Sequence, residues 1–178
     1  MVLRAVDGVE PTVHESAYVD PDAVVIGDVE VGPEASVWPN VTLRGDHGHI
    51  RVAEGANVQD GAVCHEGVEI GSYATVGHTA IVHEAVVGER AMVGMGSVVL
   101  DDSTIGDRAL VAAGAVVTEG TEVPPETLVA GTPAEVVKEV PDSPWTEAGD
   151  RYVELSRTYM ETGRRVEPGT GNGGASDA

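Results

Sequence analysis

Counting by six from Val13 meets an aliphatic side chain at every stop: Val13, Val19, Val25, Val31, Val37, Leu43. After a skip of nine the rhythm resumes at Val52, Val58, Cys64, Ile70, Val76 and Val82. A step of five leads to Val87, and sixes follow again to Val93, Val99, Ile105, Val111, Val117 and Val123. An amphipathic helix repeats at 3.6 residues and a half-buried strand at 2, so neither makes this pattern. One buried aliphatic per six residues is the signature of a hexapeptide β-helix, in which each hexad is a short strand and a turn. Three hexads close one triangular coil of 18 residues, and coils stack at about 4.8 Å as parallel strands do. Small residues such as Gly27, Gly71, Ala80 and Gly114 suit the tight turns and the crowded interior. A Val-rich antiparallel sandwich is the alternative, but its turn signals would be wider and less regular.

The period predicts an all-β fold, a parallel β-helix over residues 1–140. Two irregular coils are expected, at "LRGDHGHIRV" and at "VHEAVV". Beyond "VAGTPAEVVKEV" the period stops, and Pro141 and Pro144 break the chain. Residues 141–165 are expected to form a C-terminal α-helix on the β-helix. Tyr152, Leu155 and Tyr159 mark its apolar face, and Arg164 and Arg165 lie near its C-terminus. The Gly-rich stretch 166–178 is expected to be a flexible tail.

Composition narrows the partners. The chain has 178 residues, enough for one domain with a sizeable core. It carries 30 acids against 10 basic residues, a formal charge of −20. Such a chain repels nucleic acid and anionic membrane, and neither partner is expected. No apolar run suits a transmembrane helix or a secretory signal. The single cysteine, Cys64, excludes an intrachain disulfide framework and fits a cytoplasmic location. Spread-out acids, a single lysine and no Phe suggest a halophilic protein whose self-repulsion is screened by molar salt.

Three of the six histidines fall in "CHEGVEIGSYATVGHTAIVHEA". His65 and His83 are 18 residues apart, one full coil, and each follows an inner position. They are expected to stack on one outward column, close enough to share one Zn²⁺. His78 belongs to the preceding face, 18 residues after Asp60. One chain is not expected to unite all three. A threefold homotrimer can, with His78 of one subunit facing His65 and His83 of the next. Three histidines and an open fourth position form the catalytic rather than the structural zinc pattern. Co²⁺ or Fe²⁺ also suits such ligands. The competing reading is three unrelated surface histidines.

With these residues together, the chain resembles the γ-class carbonic anhydrases and their hexapeptide-repeat relatives over roughly residues 10–165. The motifs are "RGD" at Arg44–Asp46, "NVQDG" at Asn57–Gly61, His65 after Cys64, and "GHTAIVH" from Gly77 to His83. The resemblance implies a left-handed β-helix, an exception to the usual right-handed crossover. It implies a homotrimer with interfacial zinc held by His65, His78 and His83. It implies reversible hydration of CO₂ to bicarbonate by metal-bound hydroxide. Gln59 would bond that hydroxide or orient the substrate, supported by Asp60. Arg44 would pair with Asp46 or Asp60 across the interface, and Asn57 would be a polar wall. The family's glutamate-bearing acidic loop between the first two ligands is absent, since only twelve residues separate His65 from His78. His47, where the family pattern has a glutamate, is then the candidate proton shuttle. Glu66 and Tyr159 are weaker candidates.

Other chemistries share this scaffold. "LVAAGAVVTEG" and "VAGTPAEVV" resemble the last coils of hexapeptide acyltransferases. A thioesterase-like hydrolase would use the same zinc chemistry on another carbonyl. A non-catalytic trimeric scaffold is the third alternative.

Overall fold

In the computed structural model, which describes residues 1–164 and 166, the six-residue rhythm becomes a triangular parallel β-helix. Eighteen of the nineteen rhythmic positions are buried, and Val13 at the first coil packs half-buried against them. The strands are only two or three residues long at most corners, and each pairs in parallel with the same segment one coil away. A second inner position lies two residues before each rhythmic one. On two faces it is mostly alanine, as at Ala56, Ala62, Ala74, Ala80, Ala91 and Ala109, all essentially inaccessible. An alanine there lets the chain turn sharply while the valine two places on fills the centre. Corner residues such as Glu66, Thr79 and Glu84 adopt left-handed backbone angles (φ +62°, +57° and +43°), which turn the strand onto the next face.

The three faces differ in their outward columns. One carries Glu30, Arg51, Glu69, Val86, Thr104 and Glu122 in ladder register and is largely polar. The second carries Tyr18, Ser36, Asn57, Thr75, Met92 and Leu110. The C-terminal helix lies over the early part of that face. The third carries Val24, Thr42, Val63, Ile81, Val98 and Val116, an apolar column with no helix over it.

Both irregular coils are where the rhythm breaks. The extra residues of "LRGDHGHIRV" extend the strand Thr42–Val52 around a corner, with a register shift against Gly27 and Val29. Gly45 sits in that corner because a Cβ would stand 2.3 Å from the Asp28 carbonyl oxygen. At the other break, Val82 pairs with Cys64 on one side and Val99 on the other. The corner between them and the next strand holds only His83 and Glu84, whereas the coil below has Leu100, Asp101 and Asp102 there.

The end of the helix differs from the periodic expectation. After Thr127–Gly131 the chain does not start another coil but folds back as Ala134–Glu139, antiparallel to it. A short 3₁₀ turn, Pro144–Glu147, then leads into α1, Ala148–Thr162. Ser143 caps the turn by accepting from the Trp145 amide at 3.4 Å. Leu155, expected on the apolar face, is exposed instead. The buried face is Ala148, Gly149, Val153 and Ser156, because α1 lies too close to the β-helix for a large aliphatic. A Cβ at Gly149 would stand 2.3 Å from the Tyr73 carbonyl oxygen. Aromatic packing fixes the other end: Trp38 lies 5.1 Å from Tyr159 and 5.3 Å from Tyr152, ring centre to ring centre, in edge-to-face contact. Arg90 donates to Asp150 at 2.6 Å and to the Thr146 carbonyl at 3.0 Å. Arg157 pairs with Glu34. Arg165 and the tail beyond 166 lie outside the described residues.

Candidate metal centre

The strands Val63–His65 and Ile81–His83 lie side by side in parallel register, with His83 directly opposite His65. Both side chains point outward because Cys64 and Val82, their neighbours, point in. The ring centres are 5.0 Å apart, the spacing of the ladder itself. His65 Nδ1 and His83 Nε2 face each other at 3.1 Å.

The outer nitrogens are held by carboxylates. His65 Nε2 donates to Asp46 Oδ1 at 3.2 Å, and His83 Nδ1 donates to Asp101 Oδ1 at 2.7 Å. A carboxylate only accepts, so each ring carries its proton on the outer nitrogen. The inner nitrogens then both present lone pairs to one point. Two such lone pairs repel unless a positive group offsets them: Arg44 Nη2 stands 3.2 Å from the one on His65 Nδ1, and a cation between the rings would take both. Donors about 2.0–2.1 Å from one tetrahedral zinc lie about 3.3 Å from each other, so this donor set fits a metal. Glu66 Oε1 stands 3.9 Å from His83 Nε2 at the rim. Three carboxylates around two imidazoles also make the place attractive to a cation.

Arg44 and Asp46 complete this corner. Arg44 Nη1 pairs with Asp46 Oδ2 at 3.2 Å within the chain, and Nη2 reaches His65 Nδ1 at 3.2 Å. Burial pushes the Asp46 carboxyl up, but its loop backbone, His65, Arg44 and His47 outweigh this and hold it below the ordinary carboxylate value. His47, largely exposed, has Nδ1 3.5 Å from Asp46 Oδ1.

The remaining expected residues gather at the opposite corner of the same face. His78 Nδ1 lies 3.0 Å from Asp60 Oδ2, its stacking partner one coil away. Buried Gln59 donates to Asn57 Oδ1 at 3.1 Å, and Asn57 donates to Thr75 Oγ1 at 2.9 Å. The strand Ile81–His83 separates the two corners, with roughly 10 Å of extended backbone between them. The structure therefore brings His65, His83, Arg44, Asp46 and His47 together, and His78, Asp60, Gln59 and Asn57 together, but not the two sets. Tyr159 packs on Tyr18 and Trp38 beneath α1, apart from both.

One feature was not anticipated from the sequence. Asp101 was not expected at the site, although it follows His83 by the same 18 residues that separate His83 from His65. The thiol of Cys64, next to His65, is fully buried and pushed up to about 12 by burial, so it supplies no nucleophile.

The family model described as "Bacterial transferase hexapeptide (six repeats)" matches residues 10–45 and 84–119. The carnitine operon protein CaiE of Escherichia coli is 42% identical over 146 residues, covering 80% of this chain and 74% of that protein. The chain belongs to this hexapeptide-repeat transferase family. A solved hexapeptide transferase family protein from Anaplasma phagocytophilum is 38% identical, with a TM-score of 0.87 over 89% of this chain and 98% of its own. A candidate acetyltransferase from Bacillus cereus is 31% identical, with a TM-score of 0.83 over 90% and 97%. The names of these relatives speak of transferases and a carnitine operon, not of carbonic anhydrase. The hydratase activity implied by the resemblance therefore rests on the histidine geometry alone.

Proposed function

We propose that the protein is a metal-dependent enzyme that directs water onto an acyl carbonyl carbon, at sites completed where copies of the chain meet in a homotrimer. The observation that carries this reading is the pair of inward lone pairs on His65 and His83, each fixed by a carboxylate on the far side of its ring. His65, His83 and the neighbouring copy's equivalent of His78 would hold Zn²⁺. When bound, zinc lowers the pKa of a coordinated water from 15.7 towards 7 and so supplies a nucleophile at neutral pH.

The apolar column Val24–Val116 supports the trimer. It lies between the corner bearing His78 and the corner bearing His65 and His83, and Ile81 at its centre is 40% exposed. Burying that face against a second copy turns the two half-sites toward each other. The remaining residues have roles set by position. Asp46 and Asp101 hold the outer N–H of each imidazole and so aim its inner lone pair. Gln59 and Asn57, buried and bonded to each other and to Thr75, brace the coil beside the His78 corner instead of orienting a substrate. His47, on the exposed loop beside Asp46, exchanges protons with solvent.

The relatives favour acyl substrates. The charge balance argues against transfer from coenzyme A, since one lysine and nine arginines among 30 acids leave little to hold its phosphates. Hydrolysis, with water as acceptor, reconciles the two. Hydration of CO₂ is the second reading, favoured by the three-histidine set and by its small, uncharged substrate.

The test is an assay of zinc-loaded protein in molar KCl against short-chain acyl thioesters and against CO₂, with His83→Ala as control. Thioester hydrolysis lost in His83→Ala is the expected result. CO₂ hydration alone would assign the hydratase. Turnover only with an added acceptor would assign a transferase. A metal-bound trimer inert to all would leave a scaffold.

A further inference from the structure

We infer that Asp101 is the positioning residue of His83: it holds the ring by its Nδ1 proton and thereby aims the Nε2 lone pair at His65. The inference rests on the metal reading above and deepens it. The hydrogen bond of 2.7 Å is the shortest made by any histidine ring among the described residues.

The break in the repeat explains how Asp101 gets there. The coil bearing His83 is one residue short at its corner, because two residues, His83 and Glu84, span what Leu100, Asp101 and Asp102 span below. A full-length corner stacked against a shortened one has a residue to spare. The left-handed angle of Asp102 (φ +56°) turns the chain back immediately afterwards, and the Asp102 amide donates to the Glu84 carbonyl at 2.8 Å. Asp101 is left projecting at the rim, and its carboxylate reaches the His83 ring from the next coil. His65, on a full-length corner of three residues, takes its partner Asp46 from the coil on the other side. The two rings are thus clamped from opposite directions along the helix axis. Neither can rotate about χ2 without losing a charge-assisted hydrogen bond.

The test is zinc affinity of the full chain, measured by competition with a chromophoric chelator. Asp101→Ala should bind zinc about 10–100-fold more weakly, as removal of such a partner does. Asp101→Asn should recover most of the affinity, because its amide oxygen still accepts from Nδ1. An Asp101→Ala protein that binds zinc as the wild type does, or an Asn variant as weak as the Ala one, would overturn the inference while leaving the metal site in place. A wild-type chain that binds no zinc would overturn the metal reading itself. A second readout needs no substitution: the ¹⁵N shifts of His83 in metal-free protein should show the Nδ1-protonated tautomer. The Nε2-protonated form would overturn the role of Asp101 even if the alanine variant fails to fold.

Discussion

Arg44 and His83 approach the same atom. Arg44 Nη2 is 3.2 Å from His65 Nδ1, the nitrogen that His83 Nε2 faces at 3.1 Å. A guanidinium donates and never accepts, so it occupies the lone pair that a metal would use. Arg44 also holds Asp46, and can keep that contact while releasing His65. Replacing Arg44 with Met should therefore leave zinc affinity equal or higher at low salt, with the trimer checked by sedimentation. A large loss of zinc in an intact trimer would show that Arg44 supports the ligands instead of competing with them.

Subunit mixing separates a shared site from a private one. His78→Ala and His83→Ala proteins should each lose zinc at their interfaces. Unfolded and refolded together, they should regain part of it, because some interfaces pair an intact His78 with an intact His65 and His83. Recovery is read as zinc per trimer after gel filtration. No recovery would place all the ligands within one chain.

Gly45→Ala tests the corner that carries Asp46. The added Cβ would meet the Asp28 carbonyl oxygen at 2.3 Å, which is backbone and cannot swing away. The loop must shift, taking Asp46 from His65. The expected outcome is a loss of about 1–3 kcal/mol in stability together with weaker zinc binding. Chemical denaturation and chelator competition measure the two.

The docking of α1 should depend on acid. Hydrogen bonding to Arg90 holds the Asp150 carboxyl below its ordinary value, against the opposing effect of burial. A depressed folded value means the contribution is fully present above the unfolded pKa, near 3.9, and is lost as pH falls through the folded value. Asp150→Asn should therefore narrow the stability difference between neutral and strongly acid pH. Asp150 is about half exposed, so the effect is under about 1 kcal/mol. Trp fluorescence during acid titration follows it, because Trp38 packs against α1.

Salt should stabilise the whole. With 30 acids and 10 bases, repulsion among carboxylates opposes compaction, and molar KCl screens it. The melting temperature should rise steadily with KCl. A protein most stable at low salt would remove the halophilic reading.

The coil architecture was legible because burial here depends on a single residue class repeated at one interval. Cys64 could stand among the valines because the interior asks only for a small apolar group. The His65–His83 stack and the His78–Asp60 pair were legible for the same reason: register in a β-helix is arithmetic. The antiparallel return Ala134–Glu139 was not legible, since it abandons the period while keeping strand-forming residues. Leu155 misled because its spacing suits a helix face but not the close approach that Gly149 and Ser156 permit. Asp101 was missed although counting 18 from His83 reaches it; the corner that is one residue short sets Val82 opposite Val99, so Asp101 meets the ring from one residue beyond the ladder position.

The parallel ladder has one more consequence. The gap between the two imidazoles is fixed by amide hydrogen bonds between neighbouring coils, not by the side chains that use it. The scaffold is a ruler whose graduations cannot be rescaled by substitution. What the corner residues change is only what is mounted at each mark. On such a frame a ligand can be exchanged for a base, or an amide for an acid, without the distance between them moving, and a family can pass between chemistries while every coil stays where it was.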